Sequence, residues 1–158
     1  MNVVITGGHS GIGLELAKRL ATDGHRLGFV VRSESRLDAV PGTVTGSAGF
    51  TAWTADLSVQ ADVAAVAEAI HEDWGHVDVL YNNAGVLLPE LRRSAAGREL
   101  HFEVNTLAPV ALMRGLEASL TAAAAPVVVN TVTGNMHDTA LDLSQLTDPS
   151  DFRKLFGQ

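Results

Sequence analysis

Cysteine is absent from this 158-residue sequence, and charged residues make up only 18% of it. The lack of cysteine excludes a disulfide framework and a thiolate metal site, and nothing indicates an oxidising compartment. The 11 basic residues are scattered among 18 acidic ones, and the net charge is -7. This balance argues against nucleic acid or an anionic membrane as the main partner. The 6 histidines show no metal-ligand spacing either.

The sequence also lacks an uninterrupted hydrophobic run of membrane-spanning length. Its most apolar segment, Leu107 to Val129, is broken by Arg114, Glu117 and two prolines. The first residues lead directly into a strand pattern, so we expect no signal peptide and a cytoplasmic protein. The length and the 46% hydrophobic content fit one globular domain over residues 1–158.

What the sequence does contain is an alternation of strand and helix patterns. Five apolar runs predict strands at Val3–Ile5, Leu27–Val31, Phe50–Ala55, Val77–Tyr81 and Val127–Thr131. Helical patterns run from Ile12 to near Gly24, over Ser35–Val40, from a Ser58 cap to Trp74, and over Ser94–Leu120 with a kink or break at Pro109. The Gly/Ser/Thr-rich segment Pro41–Gly49 predicts a loop. This alternation predicts an α/β fold with a parallel sheet of about five strands that helices cover on both faces.

The glycine-rich turn at the start of the chain predicts a dinucleotide site. Residues 3–13 read Val-Val-Ile-Thr-Gly-Gly-His-Ser-Gly-Ile-Gly, which is a strand, a tight turn and a helix start. Such a turn presents backbone N–H groups and the positive end of a helix dipole to a pyrophosphate. We expect Gly7 to allow the turn, Gly11 to let the backbone approach the phosphates, and Gly13 to let the helix pack on the sheet. No Gly-Lys-Ser/Thr follows, which excludes a Walker phosphate loop.

The residue after the second strand indicates which dinucleotide is bound. An NAD site places a carboxylate about 20 residues after the glycines, where it binds the ribose hydroxyls. Arg32 stands at that distance here, and a guanidinium suits a 2′-phosphate. The sequence therefore favours NADP over NAD, although a solvated arginine at a strand end would give the same pattern.

The glycine signature spans residues 6–13, an Asp-Leu pair follows the third strand, and Asn82-Asn83-Ala84-Gly85 follows the fourth. Small residues after the fourth strand let the backbone pass close to the cofactor ribose, while asparagine side chains tie neighbouring strands together. With these motifs the chain closely resembles the short-chain dehydrogenases/reductases from residue 1 to about residue 135. The resemblance implies a three-layer Rossmann-type doubly wound parallel sheet with the strand order 3-2-1-4-5. The resemblance and the glycine turn together imply these cofactor-binding residues: Gly7, Ser10, Gly11, Ile12, Gly13, Arg32, Asp56, Leu57, Asn83, Ala84 and Gly85.

The family's catalytic residues are Asn, Ser, Tyr and Lys, and the resemblance covers them only in part. Asn105 matches the asparagine whose backbone carbonyl holds a water in the proton relay, although it could instead be a locally bonded helix residue. Thr133 takes the place of the serine, and a shifted match puts Thr131 there. In the tail, Phe156 aligns with the tyrosine, and Lys154 precedes that position and cannot stand four residues after it. Phenylalanine has no proton to give.

Other proton donors and phosphate ligands in the sequence remain open. Tyr81 is the only tyrosine, and it lies in a strand pattern that favours a core role. His9 lies in the glycine turn, where it would be either a surface residue or a phosphate contact. His137 follows Thr133 and is a weak candidate for a substitute donor.

Two functions fit this pattern. One is an NADP(H)-dependent oxidoreductase that interconverts a small-molecule carbonyl and an alcohol, with a proton donor from outside the given chain. The other is a redox-silent NADP(H)-binding module or pseudo-enzyme subunit. Family members continue with further strands, so we expect a domain truncated at its C-terminal side, with the fifth strand at a sheet edge and apolar surface on the Ser94–Leu120 helix. That predicts a homo-oligomer or a hetero-oligomer that covers the edge.

Overall fold

The computed structural model describes residues 1–46 and 49–132 as an α/β domain with one sheet. All strand pairings in the sheet are parallel, and the strand order is β3-β2-β1-β4-β5. The strands are β1 (Asn2–Thr6), β2 (Arg26–Val31), β3 (Thr51–Thr54), β4 (Val79–Asn82) and β5 (Val127–Asn130). The order reverses between β1 and β4, so the expected doubly wound topology is confirmed.

Helices cover both faces of the sheet. They are α1 (Gly11–Thr22), α2 (Gly42–Thr45), α3 (Gln60–Trp74), α4 (Leu100–Phe102), α5 (Ala108–Gly115) and α6 (Glu117–Thr121), with a short 3₁₀ turn at Glu34–Leu37 and a π-helical turn at Glu103–Leu107. Along β1 the side chains alternate between the two layers. Val4 packs in the core formed with α3 and α5, while Val3 and Ile5 pack in the core formed with α1 and α2.

Gly28 makes room for the largest side chains of one core layer. A Cβ at Gly28 would lie 2.4 Å from Trp53 Cζ3 and 2.7 Å from Trp74 Cη2. The two indole rings pack edge to face with centroids 5.1 Å apart, and Arg26 lies over Trp74 at 4.4 Å from the ring centroid. A side chain at position 28 would therefore push the tryptophans off the strand.

The long helical pattern predicted for Ser94–Leu120 is broken in the structure. Regular helix begins only at Leu100, six residues later than predicted, because the Glu99 side chain caps that point by accepting from the amides of His101 and Phe102. The predicted break is confirmed, but it precedes Pro109. The π-helical turn interrupts the hydrogen-bond ladder at Glu103–Leu107, and Pro109 lies in the first turn of α5, where proline loses no helical hydrogen bond.

Two local predictions were wrong. Ser58 does not cap α3, because its hydroxyl donates to Asp56 at 2.7 Å, and the helix begins two residues later behind Val59. The segment predicted as a loop after Pro41 contains the short helix α2, because Val44 is fully buried against α1 and β2 residues. Tertiary packing outweighs the loop-like composition there.

The sheet and helix surface beside β5 is exposed, as the sequence predicted. Among the described residues β5 lies at the end of the sheet, and Val127 is 48% exposed. Val110 and Met113 of α5 are also partly exposed. Within residues 1–46 and 49–132, no helix has both the length and the apolar character needed to cross a bilayer.

We predict that Gly28→Ala destabilises the protein by about 2 kcal/mol, because the added methyl overpacks the core between Trp53 and Trp74. Urea unfolding measures this change. Gly42→Ala is the matched control, because a Cβ at Gly42 meets nothing within 4 Å. Its unfolding free energy should stay within about 0.5 kcal/mol of the parent, and equal effects of both variants would contradict the overpacking account.

Candidate dinucleotide-binding site

The turn between β1 and α1 presents a helix N-terminus to solvent. Gly7 and Gly11 have φ values of +67° and +55°, a region that favours glycine, and the Gly7 amide donates to the Val30 carbonyl at 3.0 Å. Ser10 stands at the N-cap of α1, yet its hydroxyl makes no capping bond. The first turn of α1 contains no acidic residue. Free amides, a positive dipole end and an uncommitted hydroxyl together suit an anionic ligand.

Thr6 joins this turn to the end of β4. Its hydroxyl oxygen accepts from the amide of Asn83 at 3.0 Å and from the amide of Ala84 at 2.9 Å. Asn83 in turn donates from Nδ2 to the Thr6 carbonyl at 3.2 Å, and Asn82 donates to Asn130 of β5 at 2.9 Å. The asparagine side chains therefore tie β1, β4 and β5 together, as the sequence predicted. Thr6 was missed as a positioning residue, although its place at the end of β1 marked it.

Glycine is required where the turn meets β4. A Cβ at Gly13 would lie 2.5 Å from Asn83 Nδ2 and 2.8 Å from the Gly7 carbonyl oxygen. The expectation that Gly13 lets the helix pack closely on the sheet is confirmed. A Cβ at Gly11 would meet nothing within 4 Å, so the backbone there is open to a ligand.

Two adjoining clefts cross the carboxyl ends of the strands at the β1–β4 reversal. The large cleft has a volume of about 630 Å³, and the small cleft, next to β2 and β3, of about 110 Å³. The predicted residues in the large cleft are Gly7, Ser10, Ile12, Asn83, Ala84, Gly85 and Asn105, and those in the small cleft are Gly7, Arg32, Leu57, Ala84 and Gly85. The clefts share Gly7 and residues 84–86, so they form one groove where doubly wound sheets bind ligands.

Three of the predicted cofactor residues line neither cleft. Gly13 is buried within the first turn of α1, and Gly11 is exposed at the helix start. Asp56 lies beside the small cleft, with its Oδ2 3.6 Å from Arg32 Nε. Sequence reasoning missed Val86 and Val104, which also line the small cleft. Their apolar character carries no motif signal.

Asp56 is held in its ionised form. Partial burial raises the pKa of this carboxyl, but hydrogen bonds from the hydroxyl and amide of Ser58 and the charge of Arg32 outweigh it, so the pKa lies below its ordinary value. The Arg32 side chain is 59% exposed and remains accessible to a second anion.

His9 is neutral in the unliganded turn. Burial, together with the positive charge of Arg36, lowers the pKa of its imidazole below the ordinary value. Its Nδ1 is buried and has no hydrogen-bond partner among the described residues. A contact between His9 and a phosphate stays a prediction, and it would begin from an uncharged ring.

The catalytic prediction is only partly within the described structure. Asn105 lies in the π-helical turn, where its side chain accepts from the Val86 amide at 2.8 Å and donates to the Val86 carbonyl at 2.9 Å. The alternative of a locally bonded helix residue is wrong, because these bonds span 19 residues. Thr131 lines the large cleft. Thr133, His137, Lys154 and Phe156 lie outside the described residues.

A buried carboxylate anchors the π-helical turn. Glu103 is fully buried and accepts hydrogen bonds from Arg98, from Ser94 at 3.1 Å and from Gln60 of α3 at 2.7 Å. The hydrogen bonds from Arg98 lower the pKa of this carboxyl most, and together with Gln60 and Ser94 they overcome the opposing effect of burial. Four donor contacts thus fix the backbone on which Val104 and Asn105 reach the groove.

Comparison with known proteins agrees with this geometry. The family model described as short chain dehydrogenase matches residues 1–141. Human retinol dehydrogenase 11 is 34% identical over 131 residues, which are 81% of this chain and 41% of that protein. Two solved structures are also similar. A metagenomic short-chain oxidoreductase in complex with NADP is 30% identical with a TM-score of 0.70, and the match covers 81% of this chain and 59% of that one. The L-sorbose reductase of Gluconobacter frateurii with NADPH and L-sorbose is 30% identical with a TM-score of 0.66, and the match covers 76% of this chain and 47% of that one.

These matches carry the family assignment, since the family model covers most of the chain. The protein belongs to the short-chain dehydrogenase/reductase family, and its fold and its motifs are those of the family's dinucleotide-binding part. The chain spans about two fifths of the length of the curated relative, 41% of human retinol dehydrogenase 11.

We predict that Glu103→Ala lowers the free energy of unfolding by about 2 kcal/mol, because Ser94 and Gln60 lose their buried acceptor. Glu15→Ala is the control, since Glu15 pairs with Lys18 on the surface of α1 and such a pair contributes less than about 0.5 kcal/mol. Urea unfolding at neutral pH compares the two. The same loss in both variants would contradict the role of burial.

The Glu103 carboxyl should also make the free energy of unfolding sensitive to acid. The pKa of Glu103 is lowered in the folded state, so its contribution is present above the unfolded value, about 4.3, and is lost as the pH falls through the folded value. Between neutral pH and about pH 3, the free energy of unfolding should fall less in Glu103→Gln than in the parent protein. Parallel pH dependence in the two proteins would exclude this carboxyl as a source of acid sensitivity.

Proposed function

We propose that this chain forms the NADP(H)-binding half of an oxidoreductase that transfers a hydride between the coenzyme and a small-molecule carbonyl or alcohol. One observation carries the proposal: the groove across the β1–β4 reversal is bounded by the free N-terminus of α1, whose first turn has no acidic side chain. A pyrophosphate fits there without meeting a like charge. The two similar structures solved with NADP and NADPH support the choice of coenzyme.

Each part of the groove has a proposed role. The α1 amides and Ser10 hold the pyrophosphate, and Arg32 binds the 2′-phosphate. Asp56 and Leu57 bind the adenine. Residues 83–85 lie against the ribose next to the nicotinamide. When bound, NADPH supplies a hydride, so a carbonyl becomes an alcohol once a proton reaches its oxygen.

The proposed catalytic roles rest on the family resemblance. The Asn105 side chain bonds the backbone of Val86. By the resemblance, the backbone carbonyl of Asn105 would hold the water of the proton relay. Thr133 would polarise the substrate carbonyl through its hydroxyl. Among the 158 residues no tyrosine follows Tyr81, so the proton donor would come from outside this sequence. A cytoplasmic location and a partner that covers β5 stay predictions.

The scarcity of tyrosine also favours a second candidate, a redox-silent NADP(H)-binding module. Coenzyme binding uses the groove alone and does not need the Tyr-Lys pair. The two candidates separate on turnover. NADPH fluorescence measures binding, and NADPH oxidation with a panel of aldehydes and ketones measures catalysis. Tight binding without turnover, both in this chain and in the complete protein or complex that supplies a proton donor, would favour the silent module. Clear turnover by this chain alone would contradict the alignment of Phe156 with the tyrosine.

Arg32 provides the test of coenzyme choice. We expect Arg32→Ala to weaken NADPH binding by about 10-fold or more, because a charged hydrogen bond to the 2′-phosphate is lost. NADH binding should change little, since NADH lacks that phosphate. Fluorescence titration with both coenzymes gives the ratio.

Arg19→Ala is the matched control for Arg32→Ala. It removes the same charge from the exposed last turn of α1, at the end away from the groove. NADPH affinity should be unchanged in this variant. Equal losses for both coenzymes in Arg32→Ala would contradict a 2′-phosphate contact, and failure of the unmodified chain to bind either coenzyme would overturn the proposed function.

A further inference from the structure

The loop after β4 forms one wall of the large cleft. Val86 and Leu87 line the cleft, and the Leu87 side chain is 75% exposed at its mouth. An exposed side chain has few packing contacts to hold it in position, so the position of Leu87 depends on the backbone of the residues on either side. We refer to residues 86–88 as the wall loop.

Side chains from another segment hold the wall loop at both of its ends. Asn105 brackets Val86 with two hydrogen bonds, as described above. At the other end, the Leu88 amide donates to Nε2 of His101 at 2.8 Å. Asn105 belongs to the family's known machinery, whereas His101 is outside every motif that the sequence offered.

The hydrogen bond from Leu88 selects the tautomer of the His101 ring. A backbone amide can only donate, so Nε2 is an acceptor and carries no proton. The neutral ring then bears its proton on Nδ1, which lies 2.6 Å from Oε1 of Glu99. The His101 side chain is only 14% exposed, so this arrangement lies largely out of water.

Glu99 keeps the ring in that orientation. Burial raises the pKa of this carboxyl, but the hydrogen bonds from the amide and ring of His101 and from the Phe102 amide outweigh it, and the pKa lies below its ordinary value. The carboxylate is thus anchored at the start of α4 and receives the Nδ1 proton. A chain of contacts runs from the helix through Glu99 and His101 to the wall loop.

We infer that His101 is a positioning residue, which holds the wall loop through the Leu88 amide and thereby sets how closely residues 86–88 cover a ligand in the large cleft. The inference rests on the proposed function in that NADPH is the ligand whose affinity should respond. His101 touches the backbone of the loop and needs no contact with the coenzyme.

A pair of substitutions tests this role. In His101→Gln the side-chain carbonyl replaces Nε2 as acceptor, whereas His101→Leu has similar bulk and no acceptor. We expect His101→Leu to weaken NADPH binding about fivefold, the value of one net hydrogen bond, and to raise the exchange rate of the Leu88 amide by a similar factor. His101→Gln should stay close to the parent in both measurements. Equal behaviour of the two variants would overturn the inference.

His71 offers a matched control. Its ring Nδ1 also makes one side-chain contact, to Ser119 at 2.9 Å, but on α3, away from the groove. His71→Leu should change stability without changing the Leu88 amide exchange or the NADPH affinity. A similar effect of His71→Leu on Leu88 would mean that His101→Leu acts only through general loosening of the fold.

A measurement on the parent protein needs no variant. Nitrogen-15 spectra of the imidazoles distinguish the two neutral tautomers, and His101 should carry its proton on Nδ1. A proton on Nε2 would overturn the inference even if NADPH binds. If NADPH does not bind, the tautomer and the exchange of Leu88 still test the contact, while the proposed function fails separately.

Discussion

The hydroxyl of Thr6 accepts hydrogen bonds from the amides of Asn83 and Ala84, and the groove depends on this link. It brings the ends of β1 and β4 together at the point where the strand order reverses, so that the glycine turn and the Asn-Asn-Ala-Gly segment share one crevice. Contact this close leaves no room for side chains, which is why Gly13 packs against the Asn83 amide group and Gly7 against Ala84. The amides at the start of α1 have no preceding helical turn to bond to, and Ser10 does not cap them, which gives the groove its attraction for anions.

The charged side chains near the groove also favour an anionic ligand. The first turn of α1 has no carboxylate, and Asp56, beside the small cleft, is already engaged by Ser58 and by Arg32. Arg32 is exposed and can turn from Asp56 towards a phosphate, because an exposed pair of this kind contributes little stability. His9 contributes no charge, since burial and Arg36 lower its pKa. The positive potential of the site therefore comes mainly from backbone dipoles and from arginine.

The side of the groove opposite α1 is organised by polar side chains within the broken helix. Glu103 fixes the π-helical turn through Arg98, Ser94 and Gln60, and Asn105 and His101 extend from the same segment to the loop after β4. The π turn adds one residue to a helical turn, so the side chains of this segment point in other directions than they would from a regular helix. Buried polar groups in one connected set also make the segment rigid, provided that each has a partner.

The amino-acid sequence by itself determined the alternation of strands and helices, the glycine turn and the Asn83–Gly85 segment at the end of β4, because each rests on local patterns with a fixed period or on residues that only one backbone geometry accepts. The strand order was predicted through the resemblance of these motifs to the family. The prediction that asparagine side chains link neighbouring strands is confirmed as well. Short-range competition between side chains decided two outcomes that periodicity does not reveal: Ser58 donates to Asp56 two residues earlier, and Glu99 caps a helix that periodicity alone would begin at Ser94. Only the tertiary structure decided α2, where Val44 is buried against distant elements. The contact of His101 with Leu88 belongs to the same group, since a hydrogen bond to a distant backbone amide leaves no mark on the local sequence.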